Sequence, residues 1–217
     1  MNPPLTLDGL LAEATGFAAA YSQVAFPELY GVDNGKTVGT HLEQTFIRQL
    51  LATYGFPPGN AAKGIDLPHL DVDFKTTSLK QPQSSCPFRS ARQKVYGLGY
   101  SLLVFVYRKA DDPVAKTARL TVAHAVFVER TYTADYQTTT GLLKLPANHA
   151  NKDDLPAFFA ERMLPLDEIG ASDLADEVLR TPPLVGYLTI SNALQWRLQY
   201  SRVIEQAGTV PGLRRFV

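Results

Sequence analysis

The run Leu102-Leu103-Val104-Phe105-Val106-Tyr107 constrains this chain more than any other stretch. It is apolar at every position and rich in β-branched and aromatic side chains, so as a strand it is buried on both faces. Six residues are too few to cross a bilayer. Such a strand belongs at the centre of a covered sheet, and the cover must come from helices. Two precede it. Leu7, Leu10, Leu11, Ala14, Phe17, Ala18 and Tyr21 recur at helical spacing behind a capping Thr6, and a second helix is predicted over 37–54, with Leu42, Phe46, Gln49 and Leu50 inward. Residues 70–78 alternate as a strand, 81–87 read as a polar loop and 88–98 as a short basic helix. A second long strand is predicted over 118–131, after a turn at Asp111-Asp112-Pro113. Residues 59–68 read as turns with an extended piece at 63–67, and 132–152 as irregular. Helices are predicted at 153–163 and 172–180, a strand at 184–190 and a last helix from 191 to 206. The fold class is therefore α/β: a mixed central β-sheet flanked by helices, with a helical C-terminal part.

At 217 residues the chain fits one domain, 1–217, with a core about 36–131 and a C-terminal part, 151–217, for packing, dimerisation or contact with a polyanion. Apolar residues make up 45% and charged ones 19%, which excludes a disordered chain. The lone Cys86 excludes a disulfide framework and, with no basic secretory leader at the N-terminus, predicts a cytoplasmic protein. Four scattered histidines and one cysteine give no zinc spacing, and Gly97-Leu98-Gly99 is no dinucleotide fingerprint. Net charge is zero, but it is unevenly spread: residues 74–109 hold seven bases and no acid, and 180–217 are net +4. Two basic segments in a neutral chain suit either solvated faces or patches that meet a polyanion.

The segment 64–75 carries the chemistry. Asp73 and Lys75, at i and i+2 on a strand, share one face about 7 Å apart. Asp66 returns to them after a turn at Leu67-Pro68. Two carboxylates from adjacent segments, joined by the backbone carbonyl of Phe74, suit a hard divalent cation such as Mg²⁺, for which Mn²⁺ substitutes. Lys75 beside them would orient an attacking water and offset charge on a phosphorane. The same three side chains would also form an ion pair on a solvated strand face. Asp71, on the same face as Asp73 by alternation, competes with Asp66 for the cation. His69 reads as a turn residue, His124 as a hydrogen-bonded core residue beside Leu120, Val122, Val126 and Val128, and Trp196 as core or dimer packing.

Asp66…Asp73-Phe74-Lys75 resembles the D…(D/E)-x-K signature of the restriction-endonuclease-like nuclease superfamily. The order helix, signature strands, helix, strand over about 36–108 is similar to that family, and Glu43 stands where many members carry a helix glutamate facing the metal. The run from Thr76 to Phe88, with its basic helix, resembles bacterial type II restriction enzymes. This chain departs from the pattern in having aspartate as second acid and a short Asp66–Asp73 spacing, which requires a tight hairpin. The resemblance implies catalytic Asp66, Asp73, Lys75 and Glu43, and hydrolysis of double-stranded DNA at a specific sequence to 5′-phosphate and 3′-hydroxyl ends. It also implies a homodimer on palindromic sites and a companion methyltransferase of the same specificity. A repair or structure-specific nuclease on the same fold, or a non-catalytic DNA-binding relative, is the alternative. Side chains suited to DNA are Lys80, Gln81, Gln83, Ser84, Ser85, Arg89, Arg92, Gln93 and Lys94, with phosphate contacts from Arg197 and Arg202.

Overall fold

A computed structural model describes residues 2–57, 64–145, 152–191 and 196–217. Two helices come first. In α1 (Leu7–Tyr21) the Thr6 hydroxyl accepts from Gly9 N at 3.1 Å, as its spacing predicted. Asn34 caps α2 (Gly35–Thr53), which buries Val38, Leu42, Phe46 and Leu50 at i, i+4 spacing. Both helices lie on one face of a five-stranded mixed sheet. Its members are β1 (Ala25–Phe26), β2 (Val72–Ser78), β4 (Ser101–Asp112), β5 (Thr117–Val128) and β8 (Leu213–Arg215). The order is β1-β5-β4-β2, with β8 also on β5; β2 runs parallel to β4 and the other pairs are antiparallel.

The central position expected for the apolar run is where β4 lies, between β2 and β5. Leu103, Phe105 and Tyr107 pack against α1 and α2, while Leu102, Val104 and Val106 face a second core. That second core is closed by a three-stranded sheet of β3 (Gln83–Cys86), β7 (Trp196–Gln199) and β6 (Thr189–Ser191), and by α7 (Ser201–Gln206). A third cluster joins α3 (Arg92–Tyr96), α4 (Tyr136–Lys144), α5 (Asp154–Glu161) and α6 (Glu168–Arg180).

Several expectations change. The polar loop at 81–87 contains β3, because its backbone N–H and C=O groups pair with β7 instead of water. The basic helix shrinks to Arg92–Tyr96. It ends at Gly97, whose φ of +88° no β-carbon tolerates easily and whose added Cβ would meet the Arg130 carbonyl at 2.8 Å. The stretch read as irregular holds α4, capped by Asp135, which accepts from Thr138 N at 2.8 Å. The last helix begins only at Ser201. Trp196 and Leu198 are buried and Arg197 and Gln199 exposed, a period of two that a helix stripe through Trp196 and Tyr200 obscured. Thus the C-terminal part adds three short strands to its helices. Asp71 does not share the face of Asp73, because its φ of +51° makes it the corner of a turn before the strand begins. A register shift opposite Val106/Tyr107 moves His124 off the Leu120–Val122 face and leaves it half-buried. Trp196, only 2% exposed, is core, as expected. Residues 59–63 of the predicted turns, 146–151 of the stretch read as irregular and 192–195 of the predicted last helix lie outside the described residues.

Candidate active site

The site is built on β2, whose only sheet neighbour among the described residues is β4. Its outer edge is met by the preceding segment. Leu67 and Val72 exchange backbone hydrogen bonds at 2.9 and 3.2 Å, and Asp71 turns the corner, so the short spacing closes as a tight hairpin. Asp66 is thereby carried alongside the strand, and its Oδ2 accepts from Phe74 N at 2.8 Å. The N–H and C=O of one strand residue point to the same side, so the Phe74 carbonyl faces this outer edge too.

One residue back, Asp73 is 4% exposed, and Lys75 Nζ lies 2.6 Å from its Oδ2. That contact is close but poorly directed: the buried Oδ2 has no hydrogen bond of acceptable geometry. Glu43, on the face of α2 that packs on β2, completes the group. Burial first, then the Asp66 carboxylate, pushes its carboxyl up to about 7. Burial likewise raises Asp73, and the nearby Asp66 carboxylate adds to the rise. For Lys75 burial pulls downward, but the Asp73 carboxylate outweighs it and holds the ammonium above the usual lysine value. Three carboxylates thus crowd around one ammonium.

The donor set fits a divalent cation. Asp73 Oδ2 is a buried acceptor lacking a directed donor, Asp66 stands against it, and the crowded negative charge favours a cation. Among the described residues no three His, Cys, Asp or Glu side chains form a metal cage by themselves. Two carboxylates with a carbonyl leave positions for water and phosphate, which is how Mg²⁺ is commonly held.

Beside this group opens a cleft of about 760 Å³, lined among others by Glu43, Lys75, Thr77, Gln83, Ser85 and Arg197. Of the side chains expected to meet DNA, Lys80 and Gln81 also line it. Ser84 lies at its wall, but its hydroxyl bonds the buried Tyr200 hydroxyl at 2.6 Å. The helix residues behave differently. Arg89 is exposed, 5.9 Å above the Tyr100 ring. Arg92 forms a two-pronged ion pair with Glu177. Gln93 is buried, and its Oε1 accepts from Arg89 N at 3.0 Å and Trp196 Nε1 at 2.8 Å. Lys94 is buried over the Trp196 ring. Gln93 and Lys94 therefore hold the helix to the second core instead of facing outward. Arg202 stacks on Tyr136, 3.6 Å from its ring centre. Arg197 reaches the cleft from a strand, not a helix; the alternation from Trp196 to Gln199 is the sequence signal for that strand.

Known proteins resemble this chain over nearly its whole length. A family model described as "Type II restriction enzyme NspV" matches residues 4–215. The type II restriction enzyme NspV of Nostoc sp. (strain ATCC 29411 / PCC 7524) is 56% identical over 209 residues, covering 96% of this chain and 95% of that protein. No solved structure matches.

Proposed function

This chain belongs to the NspV family of type II restriction enzymes, and on that premise we propose that it cleaves duplex DNA through Asp66, Asp73, Lys75 and Glu43 with Mg²⁺ as cofactor. As a type II restriction enzyme it is a hydrolase, a site-specific deoxyribonuclease, and enzymes of this class generally use divalent metal ions. The observation that carries the proposal is the convergence of two carboxylates and an ammonium on the outer edge of β2, one of the carboxylates with an undirected buried oxygen.

Asp66, Asp73 and the Phe74 carbonyl would hold the cation. When bound, it supplies Lewis acidity at the scissile phosphodiester and makes nearby water easier to deprotonate. Asp66 is held in place by its bond from Phe74 N, so it is oriented before any ligand arrives. Lys75, kept protonated by Asp73, supplies positive charge where negative charge develops on the phosphorus oxygens, and its N–H groups orient the attacking water. Glu43, with an affinity for protons near neutrality, is suited to take the proton that the water gives up. In-line attack leaves a 5′-phosphate and a 3′-hydroxyl. A homodimer on a palindromic site, a cytoplasmic setting and a companion methyltransferase complete the reading.

The test is incubation of unmethylated plasmid DNA with and without Mg²⁺, followed by end analysis. Discrete bands that need the cation, with phosphate at the 5′ end, support the proposal. Lys75→Ala should abolish them while leaving binding in Ca²⁺ intact. A smear, or cutting by Lys75→Ala at the wild-type rate, overturns it.

A further inference from the structure

The sheet β3-β7-β6 has two unlike faces. Its strands are antiparallel, and residues directly opposite one another point the same way. Ser84, Leu198 and Ile190 form one such row, and Cys86 with Trp196 another; the four apolar members are at most 2% exposed and seal the second core. The two rows that alternate with them are Gln83–Gln199–Thr189 and Ser85–Arg197–Ser191. Every one of these six outward side chains is an amide, a hydroxyl or a guanidinium. Solvation alone explains polar residues there, but it commonly brings Lys, Glu or Asp, and none is present. Among the described residues no carboxylate forms an ion pair with Arg197. Ser85 and Arg197 line the same cleft as Glu43 and Lys75, so one end of this face adjoins the cutting group.

The geometry points to this face as the element that reads the DNA sequence, with Arg197 bonding a guanine edge and Gln199 an adenine edge in the major groove. The inference rests on the restriction reading above. Arginine bonds guanine O6 and N7 with two prongs, and glutamine bonds adenine N6 and N7 in the same manner. A major groove about 12 Å wide admits two strands about 4.8 Å apart, here β7 with β3, leaving the three-residue β6 at its rim. Arg197 and Gln199, at i and i+2, stand about 7 Å apart, which matches two base-pair steps of about 3.4 Å. Gln83 and Ser85 lie opposite them and supply the flanking contacts.

A phosphate contact by Arg197 is the competing outcome, and one experiment separates the two. The full-length protein in Ca²⁺ is used to select from a randomised duplex library, and binding to selected and unselected duplexes is then measured across a salt series. Wild type should select one site. Arg197→Ala should lower discrimination at one G·C position, and Gln199→Ala at one A·T position, each about 5- to 150-fold, with unfolding midpoints unchanged. The inference is overturned if base preferences stay as in wild type, or if Arg197→Ala weakens all duplexes equally and reduces the salt slope by about one. A wild-type protein that selects no sequence would instead remove the restriction reading beneath it.

Discussion

Lys75 carries its charge because Asp73 is 2.6 Å away, and each is poorly accommodated without the other. Lys75→Ala should therefore lower the cleavage rate about 10²- to 10³-fold or more, as loss of a donor aimed at developing charge does, measured by single-turnover cutting of a plasmid. Glu43 gives a second measurable consequence. Its folded-state carboxyl lies near 7 against an ordinary 4.5, so the folded protein binds this proton more tightly than the unfolded chain. That contribution is present at low pH and is lost as pH rises from about 4.5 to about 7. In chelator, wild type should lose stability across that window relative to Glu43→Gln, by no more than about 3 kcal/mol, measured by urea unfolding at each pH. The acids and lysine were legible in the sequence because strand alternation fixes which side chains share a face. Asp71 was misplaced because alternation was extended one residue into a turn, where a positive φ cancels it.

At the level of elements, long periodic segments were readable and short ones were not. The two N-terminal helices and the two long strands bury enough side chains at one period to declare themselves. β3 and β7 have four residues each, too few for a pattern to outweigh turn-like composition, and only the partner strand decides them. Helix α3 is also set by its surroundings. Gly97 ends it where any β-carbon would strike the Arg130 carbonyl and the Thr133 hydroxyl, both at 2.8 Å. Gly97→Ala should destabilise the protein by about 2–4 kcal/mol, read from the urea midpoint. The passage from β2 to β3 depends on Thr77, 4% exposed, whose hydroxyl accepts from Gln83 N at 2.9 Å and lies 3.1 and 3.0 Å from the Gln81 and Gln83 carbonyls. Thr77→Val keeps the shape and leaves these groups unpaired. A cost of about 1–3 kcal/mol is expected, with poorer discrimination between matched and mismatched duplexes in cleavage assays.

For the whole molecule, the run of seven bases does not become one patch. Lys75 serves the acids, Lys80 lines the cleft, Arg92 and Lys109 pair with Glu177 and Asp111, and Lys94 is buried. Arg197, over a hundred residues away, joins Lys75 and Lys80 at the cleft instead. Linear charge runs could not show this, because the association is made by β3 pairing with β7. If the protein meets a palindrome with two-fold symmetry, sedimentation of the complex should give two chains per duplex, and one chain per duplex would remove the dimer. The strand bearing Asp73 and Lys75 passes within five residues into the strand bearing Gln83 and Ser85, pinned on the way by Thr77. If the second of these strands reads bases as inferred, a mismatched base beneath it would displace Asp73 and Lys75 as well, with nothing interposed between the two events.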